Sequence, residues 1–211
     1  MRRKHITVTG ATGFLGKNLV PVLLKNTYRV TVVGRSAQRT FGNAVSYHTA
    51  DLLKEMPVEA VRAADAIIHL AGEIAIGPSL SAPRERIDHN VGMTLSVLEA
   101  ARLSGKKPLV IFMSTTQLYG RTKKRVVTEE DLPFPLEPYS ASKIMCETLC
   151  VMYHALYGIP YIILRSESFY GPHQRSGMFI SDTVGKMMAS DHITTGSLSA
   201  RRNFTYTGDV V

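Results

Sequence analysis

The sequence predicts an α/β fold, a doubly wound parallel sheet with helices on both faces. Three observations predict it. Short apolar runs alternate with helix-length stretches along the 211 residues. The runs are apolar at nearly every position, as expected of parallel strands covered on both faces. A glycine turn, Thr9-Gly10-Ala11-Thr12-Gly13-Phe14-Leu15-Gly16, joins the first run to the first helix-like stretch.

In chain order, the first strand is expected at Ile6–Thr9 and the first helix at Leu15–Lys25. A second strand follows at Arg29–Val33 and a weaker third at Val45–Thr49. A short helix is expected to close at Ala63-Ala64-Asp65, ahead of a strand at Ala66–Leu70. The long stretch Glu85–Ser104 reads as helix, Leu109–Met113 as strand, Tyr139–Tyr157 as helix and Tyr161–Leu164 as strand. Arg121–Pro138, charged and carrying three prolines, is a surface loop before the Tyr139 helix, placed to act as a lid or a connection. This order is that of a Rossmann-type domain, expected over residues 1–171, with only the beginning of a small C-terminal substrate domain over 172–211. Gly208-Asp209-Val210-Val211 looks like a helix start with Asp209 as N-cap, so a truncated chain is expected.

Composition narrows the function classes. The chain is 45% hydrophobic and 20% charged, with no apolar run near the ~20 residues of a membrane span. Arg2-Arg3-Lys4 lead straight into the first strand, leaving no room for an apolar leader, so the expected compartment is the cytoplasm. The formal charge of +8 permits an anionic ligand. The basic residues are scattered and not interleaved with aromatics, which disfavours a nucleic-acid reader. Cys146 and Cys150, one turn apart on a helix, suit neither a disulfide nor a zinc site and read as packing residues.

The glycine turn has a physical logic. Gly10 permits the tight turn, Gly13 lets backbone N–H groups approach a pyrophosphate, and Gly16 lets helix and strand pack closely. Cofactor type is decided at the end of the second strand, Val33-Gly34-Arg35-Ser36. No carboxylate is present there for a ribose 2′-hydroxyl, whereas the Arg35 fork suits a 2′-phosphate, so NADP(H) is favoured and NAD(H) remains the alternative. Asp51-Leu52 follows the third strand, where Asp51 either meets the adenine amine or caps the next turn. His69-Leu70-Ala71-Gly72 ends the fourth strand in small residues against which a cofactor can lie, with His69 completing the strand.

Tyr139 and Lys143 are spaced i, i+4 and share a helix face. An ammonium there stabilises a phenolate. Bringing a Tyr from about 10 to neutrality needs roughly 4 kcal/mol, hence a second positive charge, which an oxidised nicotinamide would supply. Ser114-Thr115-Thr116-Gln117-Leu118-Tyr119-Gly120 places hydroxyls at the C-terminal end of the fifth strand, the ligand side of open α/β sheets, although Ser and Thr are also routine turn residues.

These motifs together resemble the extended short-chain dehydrogenase/reductases, the nucleotide-sugar epimerase/dehydratase group. The likeness runs through the glycine turn, His69–Gly72, Asn90-Val91, Ser114–Gly120, Tyr139–Lys143, Leu164-Arg165, Tyr170-Gly171-Pro172 and Arg202-Asn203-Phe204-Thr205-Tyr206. The resemblance implies a catalytic Tyr139, a Lys143 that lowers its pKa and holds the nicotinamide ribose, and Thr115 as hydroxyl partner. It also implies that Phe14, Leu15, Leu70, Ala71, Gly72 and Asn90 touch cofactor, that Arg202 grips a substrate diphosphate, and that the protein is a homodimer. Two departures matter. Thr116-Gln117 replaces the acidic pair of the 4,6-dehydratases, and Ser168 replaces the usual Asn before Tyr-Gly-Pro, weakening one substrate contact. The expected activity is nucleotide-sugar epimerisation. The alternatives are an NADPH-dependent keto-sugar or small-carbonyl reductase and a non-catalytic dinucleotide-binding regulator.

Overall fold

The computed structural model describes residues 3–36, 39–74, 82–122, 124–196 and 202–211. Its strands are β1 (His5–Thr9), β2 (Arg29–Gly34), β3 (Ser46–Thr49), β4 (Ala66–His69), β5 (Leu109–Thr115), β6 (Tyr161–Ser166), β7 (Ser168–Tyr170) and β8 (Phe204–Tyr206). Its helices are α1 (Phe14–Lys25), α2 (Pro83–Leu103), α3 (Pro138–Tyr157), α4 (Phe179–Ala189) and α5 (Thr207–Val210). Among them none is long and apolar enough to cross a membrane.

Six strands form one parallel sheet in the order β3-β2-β1-β4-β5-β6, the doubly wound order. β1 lies in the middle and is buried at every residue, with Ile6 and Val8 facing one layer and His5, Thr7 and Thr9 the other. On one face, Ile6, Val8, Val30 and Val32 pack with Leu19 and Val20 of α1. On the other, Ile67, Val110 and Phe112 pack with Val97, Leu98 and Ala101 of α2 and with Cys146, Cys150 and Tyr153 of α3. The two thiols are buried and free, filling core.

Two expectations need correction. The short helix before Asp65 is only a 3-10 turn at Val58–Ala60. Pro57 precedes it, and the 57–65 segment is held instead by Thr7 Oγ1 donating to Ala60 O at 2.7 Å. The expected two-sided burial fails at β6, the sheet edge, where Ile162 and Leu164 stay exposed while Ile163 packs on the core. An apolar run shows that a strand can be covered; it does not show that both faces are.

The long helices end where backbone chemistry dictates. Pro138 occupies the first turn of α3, and Gly158 closes it in the left-handed region at φ +68°. Beyond β6 the chain forms a two-stranded parallel pair, β7–β8, with Ser168 opposite Phe204. α4 buries none of its residues.

Candidate active site

The mouth of the site lies at the C-terminal ends of β1, β4 and β5. Gly10 adopts φ +69°, and a Cβ there would stand 2.6 Å from Ala71 N, so only glycine lets β1 and the end of β4 approach. A Cβ on Gly16 would stand 2.4 Å from Ala11 Cα. Gly13 is the N-cap of α1. No side chain caps that helix and no acid sits in its first turn, which leaves its N–H groups and positive dipole end for an anion. The turn therefore fits a dinucleotide pyrophosphate. Phe14 and Leu15, half-buried, open the helix beside it.

β4 delivers the opposite wall. Leu70 N donates to Thr9 O at 3.2 Å and Ala71 N to Thr9 Oγ1 at 3.2 Å, holding Leu70 and Ala71 against the turn. His69 is fully buried between Thr9 and Thr94, with 2.7 and 3.2 Å contacts from its two ring nitrogens. Burial, and then the charge of Lys143, push its pKa down to about 3, so it is a neutral structural group. Asn90 ties this wall to α3. Its Oδ1 accepts from Glu73 N at 2.8 Å, and its Nδ2 donates to Ser142 Oγ at 2.9 Å. Glu73 is held in turn by Arg86 and His89.

α3 lies against the end of β5. Lys143 Nζ donates to Met113 O at 2.8 Å and stands 4.7 Å from the Phe112 ring centroid and 5.9 Å from that of Tyr139. Burial lowers the Lys143 pKa to about 8. Burial also raises Tyr139 to about 12, opposed by hydrogen bonding from Thr115. Thr115 is buried and its Oγ1 accepts from Gln117 N at 3.2 Å. Dehydration of the phenol dominates and Tyr139 is a neutral hydroxyl, so the lowering expected of it would need the second positive charge of an oxidised nicotinamide.

The other expected residues fall as follows. Arg35 is exposed just beyond β2, and space is open around Gly34. Asp51 Oδ1 accepts from Leu53 N at 3.1 Å, the turn-capping role, and Leu52 is buried. Ser168 is half-buried in β7, and Arg202 is exposed before β8. Gln117 is exposed in the 3-10 turn Thr116–Tyr119. Two neighbours of the site were given no role by the motifs. Glu147, one turn beyond Lys143, is buried and accepts from Ser114 Oγ at 2.5 Å, while Arg165 of β6 pairs with it at 2.8 Å. For Glu147 the signal was the i, i+4 spacing that links Tyr139 to Lys143 continued by one more turn.

A doubly wound sheet with a glycine turn at β1 and a Tyr/Lys helix on β5 defines a dinucleotide-binding α/β protein. The model of the NAD dependent epimerase/dehydratase family matches residues 6–211, and the chain belongs to this family of extended short-chain dehydrogenase/reductases. It is 30% identical over 225 residues to a UDP-N-acetyl-alpha-D-glucosaminuronate decarboxylase of Bacillus cytotoxicus, covering 99% of this chain and 69% of that protein. The solved UDP-glucuronic acid 4-epimerase from Bacillus cereus, in complex with UDP-glucuronic acid and NAD, matches with TM-score 0.86 and 30% identity over 98% of this chain and 70% of that one. The UDP-glucose 4-epimerase from Thermotoga maritima, solved with UDP-glucose, matches with TM-score 0.87 and 27% identity over 98% and 70%.

Proposed function

We propose that the chain carries the hydride-transfer half of a nicotinamide-dependent nucleotide-sugar epimerase. The observation that carries this reading is the convergence of Thr115, Tyr139 and Lys143 beside the glycine turn, with Lys143 fixed on Met113 O. When bound, a nicotinamide dinucleotide would supply reversible hydride acceptance from a sugar carbon. Gly10, Gly13 and the first turn of α1 would hold its pyrophosphate, Leu70, Ala71 and Gly72 would form the wall beside it, and Lys143 would hold its ribose. Asn90 keeps that wall in place on α3.

Tyr139 exchanges the proton of the sugar hydroxyl. Its burial and its neutrality mean that the phenolate would form only when positive charge is brought to it; Lys143, one helical turn away, would supply part of that charge. Thr115 orients the reacting oxygen from the end of β5. Thr116 and Gln117 offer no carboxylate, so elimination of water has no acid–base pair there. Arg202, Ser168 and the β7–β8 pair are the proposed nucleotide-sugar side.

A second reading, one-way reduction of a keto-sugar with NADPH, is favoured by the exposed Arg35 and the absence of any carboxylate in Val33-Gly34-Arg35-Ser36. One experiment tests the reading and separates the two: identify the dinucleotide that copurifies, then screen UDP-sugars for C4 epimerisation by NMR, using the longest form of the protein that carries this chain. Tyr139→Phe is expected to abolish turnover and to leave dinucleotide affinity within about twofold, because it removes only the transferable proton. Near-normal turnover by Tyr139→Phe would overturn the mechanism.

A further inference from the structure

Three consecutive residues at the end of β5 are each engaged by α3, and the α3 residues are spaced by one turn. Thr115 meets Tyr139, Met113 O holds Lys143 Nζ, and Ser114 Oγ donates to Glu147 Oε1. The third contact is the most heavily built. Arg165, paired with Ser114 in the β5–β6 register, closes on the same carboxylate through Nε and Nη2, at 3.2 to 3.3 Å and 2.8 Å. Its Nη1 donates to Tyr119 Oη at 2.6 Å and to Glu129 O at 3.2 Å. Glu147 is thus clamped to β5 and β6 at once, at a side-chain exposure of 8%.

We infer that Glu147, clamped between Ser114 and Arg165, is a positioning residue for the proposed reaction: it locks α3 in register on β5 and supplies the negative charge that faces the Lys143 ammonium. The inference rests on the dinucleotide-site reading above. The groups around Lys143 leave few alternatives. On α3 these are Tyr139, Cys146, Glu147 and Cys150; on β4 there is His69; and Arg165 of β6 lies behind the carboxylate. Burial raises Tyr139 and both thiols, Cys150 to about 12, so all three are neutral near pH 7, and His69 is neutral as well. Among the described residues, Glu147 is the anion on that face. Arg165 opposes it electrically but fixes its place, which a lone buried carboxylate could not keep.

The test compares Glu147→Gln with the wild type. Gln keeps the shape and one acceptor for Ser114 while removing the charge. The readout is the pH titration of 13Cε-labelled Lys143, assigned with Lys143→Arg, which needs neither substrate nor cofactor. Lys143 is expected to lose its proton about one pH unit lower in Glu147→Gln, and Glu147→Asp is expected to restore most of the wild-type titration. The pH at which dinucleotide affinity declines should move down by the same amount. If Glu147→Gln does not fold, Ser114→Ala takes its place. It deletes one hydroxyl, lets the carboxylate swing toward Arg165, and should shift Lys143 in the same direction by a smaller amount. An unchanged Lys143 titration in the folded variant overturns the inference. A wild type that binds no dinucleotide overturns the functional reading instead, while the Lys143 titration still decides the role of Glu147.

Discussion

Lys143 and Tyr139 show how a single position couples burial to proton chemistry. Lys143 has its pKa lowered from 10.5 to about 8 by burial. Below pH 8 both folded and unfolded chains hold this proton, and the folded state carries the full cost of a buried ammonium. Between about pH 8 and 10.5 the unfolded chain binds the extra proton, so stability rises with pH across that window. Above about pH 9 the sign reverses, first at the buried thiols, with Cys150 protonated to about 12 in the folded chain only, and above pH 10 at Tyr139 as well. Urea midpoints measured from pH 7 to 9 should therefore climb, with a Lys143 contribution of about 1 kcal/mol by pH 9. Lys143→Met should flatten that climb, and a wild-type midpoint that falls through the window would contradict the assignment. Arg35 is the second position where one side chain decides an outcome. NADPH is expected to bind tenfold or more tighter than NADH, a charge-assisted contact of roughly 1.5–3 kcal/mol. Arg35→Ala should equalise the two in fluorescence titrations.

The elements show what the sequence made legible and what it hid. Strand positions, the glycine turn and the Tyr139 helix follow from periodicity and local chemistry, and they sit where the sequence placed them to within a residue or two. The clamp on Glu147 was hidden because Ser114, Glu147 and Arg165 come from three elements that only the sheet order brings together. Edge status was hidden for the same reason: the residues of β6 do not reveal that, among the described residues, it is the last strand of the sheet. α1 carries a different lesson. Pro21 stands inside it, exposed, and deprives Lys17 O of its i+4 donor. The helix persists because Leu19 and Val20 are buried in the core. Replacing Pro21 with Ala should restore the bond and stabilise the fold by about 1–3 kcal/mol, seen as a higher thermal midpoint. No gain would mean that the helix bends to suit its seat on the sheet.

At the scale of the molecule, the outward face of the α2–α3 layer is apolar. Leu95 and Leu103 of α2 and Met145, Met152 and Leu156 of α3 are all exposed. Met145, Met152 and Leu156 fall on one stripe by their spacing of seven and four. With the resemblance, these residues make a homodimer through the two helices the expected assembly. Light scattering is expected to give about twice 23.3 kDa, and Met152→Glu with Leu156→Glu should return it to the monomer mass. Other large apolar side chains are exposed on β6, Ile162 and Leu164, and on α4, Phe179, Val184 and Met188. If the double variant still associates, these side chains are responsible.

The placement of β1 at the centre of the sheet has a consequence for how the molecule comes into being. β1 bonds to β2 across the α1 crossover, His5 lying opposite Arg29, but to β4 only after some sixty residues have passed, Thr9 lying opposite His69. The β1–β4 contact closes the longest sequence separation within the six-stranded sheet, and such closures carry the larger loop-entropy cost. The same contact is the floor of the crevice: Gly10 belongs to the first half, while Ala71, Asn90 and Lys143 belong to the second. A dinucleotide lying across it would bridge the two parts, so its binding would stabilise the sheet as a whole and not only its mouth.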